Sequence, residues 1–199
     1  MKQILFEKLK RPFANELLKF GSIYFFLAFI NLRVKLRLTP AWFDGHLESN
    51  HNLLLAFQYT NNEQSRLLQF YIPEVFRQIF GLAIPNAYIL QRWLFVFLTF
   101  LCFHFFLRKW FDTQITFGGV LFLAGIMPLS YYNHLQESAS LLLLTFLLAL
   151  WAIREKQTLL YMAVLAIGAL NNETILILPM VFFCFNFDSF EFKHLLRLS

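Results

Sequence analysis

Residues 88–107 read YILQRWLFVFLTFLCFHFFL, with Gln91, Arg92 and His104 as the most polar side chains in the run. The apolar residues are continuous rather than alternating, so the stretch is not a half-buried strand. At 1.5 Å per residue such a helix reaches about 30 Å, the thickness of a bilayer's hydrocarbon core. The stretch reads as a membrane-spanning helix.

Five further apolar runs lie at about 17–32, 115–132, 138–153, 158–170 and 174–187. An open sheet cannot satisfy its backbone in lipid, and none of the runs alternates as a barrel strand does. Composition agrees. Of 199 residues, 58% are hydrophobic and 15% charged, where soluble domains hold about 45–50% and about a quarter. Phe reaches 27 residues, which suits lipid-facing helix surfaces or reflects simple compositional bias. The expected fold class is an all-α membrane protein. About six transmembrane helices form a single domain over 1–199, with a long extracytoplasmic first loop at 33–85.

Lys and Arg set the orientation. With the N-terminus cytoplasmic, 11 of the 17 basic residues fall inside and 6 outside, as expected for inserted helices. Arg33, Lys35 and Arg37 run against that rule, at the start of a long loop where it weakens. The net charge of +5 therefore anchors helix ends and does not form a nucleic-acid-binding face. The expected partner is the lipid bilayer, with no nucleic acid. No small-residue cleavage site follows the first run, so it reads as an uncleaved anchor. Cys102 and Cys184 lie inside apolar runs and read as inert thiols.

Within 33–85, clusters such as Leu53-Leu54-Leu55, Phe57, Leu67-Leu68 and Phe70-Tyr71 recur among polar residues. They suit short amphipathic helices on the outer membrane surface; a small capping domain is the other reading.

Polar residues gather on the outer side. Asp44 follows an aromatic pair and precedes Gly45, His46 and Glu48. It is either a helix N-cap, or a general base or ligand to a divalent cation; the pattern leaves any other cofactor open. Asn133, His134 and Glu137 form one hairpin tip, and Asn171, Asn172 and Glu173 another. Hairpin tips are polar in any case. The fifth run, however, spans only about 20 Å as a helix, which sets Asn171–Glu173 below the surface, where an acid is costly and usually functional. Arg66, Arg77 and Arg92 are candidate phosphate ligands; for Arg92, snorkelling to the interface is the plainer alternative. No Walker loop, zinc-spaced Cys/His pair or Gly-x-Ser-x-Gly elbow is present.

This order of features resembles the N-terminal half of polytopic GT-C glycosyltransferases, which use polyprenyl-phosphate-linked sugars. The resemblance rests on Phe43-Asp44-Gly45 and on Phe70-Tyr71-Ile72-Pro73-Glu74-Val75-Phe76-Arg77. It also rests on the turn Asn133–Glu137 and on Asn172-Glu173-Thr174-Ile175. The last is similar to a Lys-Glu-Thr turn of bacterial members, with Asn172 in place of Lys; Glu137 stands where Asp is usual. The resemblance implies a sugar transfer at the outer face of a bacterial inner membrane, with a polyprenyl-phosphate-linked sugar as partner. It implies Asp44 as catalytic base, with Glu48, Arg77, Arg92, His134, Glu137, Asn172 and Glu173 binding substrate. Such enzymes are longer, so a fragment or truncated module is expected. A transporter or channel subunit would instead line a path with polar residues in several spans; a non-catalytic membrane scaffold is the third reading.

Overall fold

The computed structural model describes residues 2–40, 45–60, 62–128 and 137–186. Regular structure among them is entirely helical. The α-helices are α1 (Lys2–Leu38), α2 (Leu47–Leu55), α3 (Leu67–Phe80), α4 (Ile84–Leu107), α5 (Thr113–Ile126), α6 (Ala139–Arg154), α7 (Thr158–Asn171) and α8 (Leu178–Asn186). A 3₁₀ turn, Asn62–Ser65, precedes α3, and another, Glu173–Ile177, precedes α8.

Local chemistry sets the boundaries. Asp112 caps α5 by accepting a hydrogen bond from the Ile115 amide at 2.9 Å, which satisfies one of the orphan donors of the first turn. Pro85 sits in the first turn of α4, where a missing N–H costs nothing. Gly81 ends α3 at φ 65°, a left-handed cap that glycine adopts without strain. α7 stops at Asn172, whose extended backbone breaks the helix. Its side chain then accepts from the Thr174 amide at 3.0 Å and starts the 3₁₀ turn.

α4 is the hub, packing against α1, α3, α5 and α6, while α6 also packs on α7. One core joins Phe20, Tyr24 and Ala28 of α1 to Val96 and Phe100 of α4 and to Val120 and Ala124 of α5. A second joins Ala149, Ala152 and Ile153 to Tyr161, Val164, Ile175 and Leu178. Phe95, Leu141 and Leu144 form a third cluster between α4 and α6.

Helix direction alternates through the bundle, which gives it two polar ends. One end, here the loop end, gathers the C-terminus of α1, the N-termini of α4 and α6, the C-terminus of α7, and α2 with α3. At the far end Glu16 accepts hydrogen bonds from Arg108 Nε (2.9 Å) and Thr113 Oγ1 (3.1 Å), and Lys109 pairs with Glu155 at 3.0 Å. Buried His104 joins Tyr24 Oη at 2.7 Å and Glu16 at 3.4 Å.

The six apolar runs correspond to α1, α4, α5, α6, α7 and the 3₁₀ turn with α8. Among the described residues two of these, Asn15–Leu38 and Ile84–Leu107, are long and apolar enough to cross a membrane. α1 is longer than the 17–32 run: Arg33, Lys35 and Arg37 continue the helix instead of opening a loop. The loop contains two short helices, α2 and α3. α3 carries an outward apolar stripe of Tyr71, Val75, Ile79 and Phe80, while Gln69, Phe70, Pro73 and Glu74 face inward.

Candidate functional site

α1 buries a stripe of Tyr24, Ala28, Asn31, Lys35 and Thr39, spaced as one face of a 3.6-residue helix. Lys35 therefore points into the bundle, with a fully buried side chain. Its Nζ lies 3.9 Å from Glu137 Oε1. Arg92, on α4, gives Glu137 Oε2 two hydrogen bonds, from Nε at 3.1 Å and Nη2 at 2.7 Å. Arg92 and Glu137 are each 3% exposed. Two cations thus share one carboxylate away from water. A buried ion pair costs heavily in desolvation.

Glu137 leads into α6, and its neighbour Ser138 ties that helix to α7. Asn171 Nδ2 donates to the Ser138 carbonyl at 3.0 Å, and Asn172 Nδ2 to Ser138 Oγ at 3.2 Å. One residue on, Glu173 is half exposed and pairs with Arg66, at the start of α3, through Nε (3.3 Å) and Nη2 (2.8 Å). The hairpin turn is thereby fastened to the first-loop helices.

α2 and α3 lie over this end. His51 shares the buried face of α2 with Leu47 and Leu54. Its ring nitrogens lie 3.0 Å from Tyr88 Oη on α4 and 3.3 Å from Glu74 Oε2 on α3. Glu74 also accepts two 2.7 Å hydrogen bonds from Arg77 and one from Gln78. The Arg77 hydrogen bonds hold the Glu74 carboxyl down at about 2. Burial pushes the His51 imidazole below its usual value, against the pull of Glu74. Burial pushes Glu63 up to about 7; the Gln69 hydrogen bond and the Arg66 charge oppose that rise, and the Glu137 charge adds to it.

Several buried oxygens at this end accept no hydrogen bond from the described residues: Gln69 Oε1, Gln91 Oε1, Glu137 Oε1 and Asn171 Oδ1. Buried acceptors are rarely left unmet.

The residues singled out from sequence divide as follows. Arg92, Glu137, Asn172 and Glu173 come to the loop end, but both acids are engaged by arginines rather than standing free. Arg77 is exposed on α3 and held by Glu74. Glu48 is exposed in the first turn of α2. Asp44 and His134 lie outside the described residues. The residue before α2, His46, makes no side-chain cap. Among the described residues no group of three or more His, Cys, Asp or Glu is placed to hold a metal ion.

Lys35, His51, Glu63 and Ser138 join the site without having been singled out. Lys35 and His51 were findable: each falls in phase with the apolar face of its helix.

Comparisons with protein-family models, with curated proteins and with solved structures find no match to this chain. The functional reading rests on the chemistry of the loop end.

Proposed function

We propose that this chain is a membrane-embedded glycosyltransferase, or the N-terminal module of one. It moves a sugar from a polyprenyl-phosphate donor to an acceptor at the loop end, which faces away from the cytoplasm of a bacterial cell. The observation that carries the reading is the Lys35–Glu137–Arg92 cluster, in which side chains from three parts of the chain bring two cationic groups together at the loop end. Cationic side chains gathered at one site stabilise the phosphate that departs when the donor's glycosidic bond breaks.

Other features support it. α1, α5, α7 and α8 expose large apolar side chains, including Phe26, Phe122, Leu159 and Phe185. Exposed apolar surface on that scale needs lipid or a partner to cover it. α3 turns the apolar stripe Tyr71, Val75, Ile79 and Phe80 outward, as a helix lying on a bilayer surface would. Asp44 falls between the end of α1 and the start of α2, beside this end in sequence, and takes the role of the base that deprotonates the acceptor hydroxyl.

The test is transfer of labelled sugar from polyprenyl-phosphate donors in vesicles that hold the chain. Asp44→Asn is expected to reduce turnover by about 10²–10⁴ while leaving the unfolding midpoint in place. Asn caps helices about as well as Asp, so a purely structural Asp44 predicts no loss of rate. Full turnover in Asp44→Asn refutes the base assignment, and failure of the inserted protein to bind any polyprenyl-phosphate sugar refutes the proposal.

A further inference from the structure

Arg33, Lys35 and Arg37 put three positive charges at one end of α1, and only Lys35 is used by the buried cluster. At 100° per residue, Lys35 lies 200° around the helix from Arg33, so the two arginines point the opposite way. Both are exposed, and neither has a hydrogen bond or ion pair among the described residues. They stand one turn apart, about 6 Å along the axis. With Phe29, Ile30, Val34 and Leu38 they line a surface cavity of about 300 Å³. A second cavity, about 420 Å³, lies on the other side of Phe29, between α1 and α4, where Leu32, Ile89, Leu90 and Trp93 line it. Phe29 is thus a ridge between two largely apolar grooves, with two exposed arginines at the head of one.

We propose that this face of α1 binds one anionic glycerophospholipid, such as phosphatidylglycerol, whose phosphate lies between Arg33 and Arg37 and whose two acyl chains straddle Phe29. The inference rests on the membrane placement proposed above. Two features select the occupant. The guanidinium pair matches a phosphodiester by charge and hydrogen-bond geometry. Twin grooves fit a lipid with two chains, whereas a polyprenyl lipid has one. The site also accounts for basic residues on the side of the membrane where they are otherwise scarce.

Native mass spectrometry of the full chain, released from micelles with equimolar phosphatidylglycerol and phosphatidylcholine, tests it. An arginine near an anionic headgroup is worth about fivefold in binding. The first bound lipid should therefore favour phosphatidylglycerol by about twenty-five-fold. The double variant Arg33→Gln/Arg37→Gln should lose that preference. Lys19→Gln/Lys156→Gln, which removes the same charge near the far end, should keep it. No preference in the wild type, or equal loss in both double variants, overturns the proposal. So does polyprenyl phosphate displacing the phospholipid from the wild type at equal concentration, since the face would then hold the donor. A separate alkaline extraction of cell membranes separates the two failures. A chain that stays in the membrane and shows no lipid preference refutes only the phospholipid site. A chain that washes out refutes the membrane reading and this site with it.

Discussion

Glu137 directs one oxygen to each of two cations: Oε2 takes both hydrogen bonds from Arg92, and Oε1 faces Lys35 Nζ at 3.9 Å. The three groups come from α1, α4 and the start of α6, so this one carboxylate fastens three helices at the end where α2 and α3 lie. It is also the sole acid in the trio, which makes its removal unlike the removal of either cation.

Glu137→Gln should destabilise the protein more than Arg92→Gln. The first removes the carboxylate that Lys35 and Arg92 both face; losing one partner of a buried pair costs about 3–5 kcal/mol. The second leaves Glu137 opposed by Lys35, one charge against one. Unfolding midpoints in the same detergent rank the two variants. An Arg92→Gln protein as unstable as Glu137→Gln would mean that Lys35 contributes no compensation.

Glu63 predicts a specific pH dependence. Its folded value of about 7 lies above its ordinary 4.5, so the fold favours the protonated form. The stability this contributes is fully present below pH 4.5 and lost as pH rises through about 7, up to roughly 3 kcal/mol in all. Glu74 acts in another window. Its value is depressed to about 2, so its contribution is present above 4.5 and lost only as pH falls towards 2. His51, pushed below 6.5, opposes Glu63, because its contribution is lost as pH falls. Comparing wild type with Glu63→Gln across pH 4.5–7 isolates the Glu63 part. The variant should lose less stability than the wild type as pH rises over that range; parallel curves would count against a buried, proton-holding Glu63.

Sequence alone located the helices well, because a run such as 88–107 carries its own signal in every residue. Boundaries were less legible where charge and helix coincide. Arg33, Lys35 and Arg37 look like the start of a loop, yet a helix tolerates them when one faces inward to an acid and two face outward. The Arg92–Glu137 contact joins residues 45 apart in sequence, and no local pattern records such a pairing. Arg66 and Glu173 are 107 apart. What sequence did record was the type of residue at each helix end. Which of those residues would meet depended on how α4 and α6 pack, a tertiary fact.

Arg66 and Glu173 should show modest, salt-sensitive coupling. The pair is two-pronged, but Glu173 is 51% exposed, and exposed pairs are worth about 0.2–1 kcal/mol. A double-mutant cycle with Arg66→Gln and Glu173→Gln should give a value in that range at low salt. It should shrink in roughly 1 M salt, where the screening length falls to about 3 Å. Coupling that survives high salt undiminished would point to a drier contact than the one described.

Gly168 should be intolerant of even one added carbon, for a reason of space rather than backbone freedom. A Cβ there would lie 2.6 Å from Ile175 Cγ1 and 2.9 Å from its Cδ1. Ile175 is fully buried in the cluster joining α6, α7 and α8, so it has no open side to move to. The Gly168 carbonyl also accepts the Asn172 amide at 2.8 Å, which places Asn171 and Asn172 against Ser138. Gly168→Ala is therefore expected to cost about 1–3 kcal/mol, as overpacked cores do. Ile175→Ala alone should cost about 2–5 kcal/mol through the cavity it opens. Combined, the two should cost clearly less than their sum, because the methyl added at position 168 enters space that the Ile175 side chain has vacated. The Cβ that remains at position 175 would sit 3.3 Å away, tight but tolerable with a small shift. Chemical denaturation of the four proteins closes the cycle. Strict additivity would show that the close approach of α7 to the 3₁₀ turn is relaxed in solution, and that the position of Asn171 and Asn172 does not depend on it.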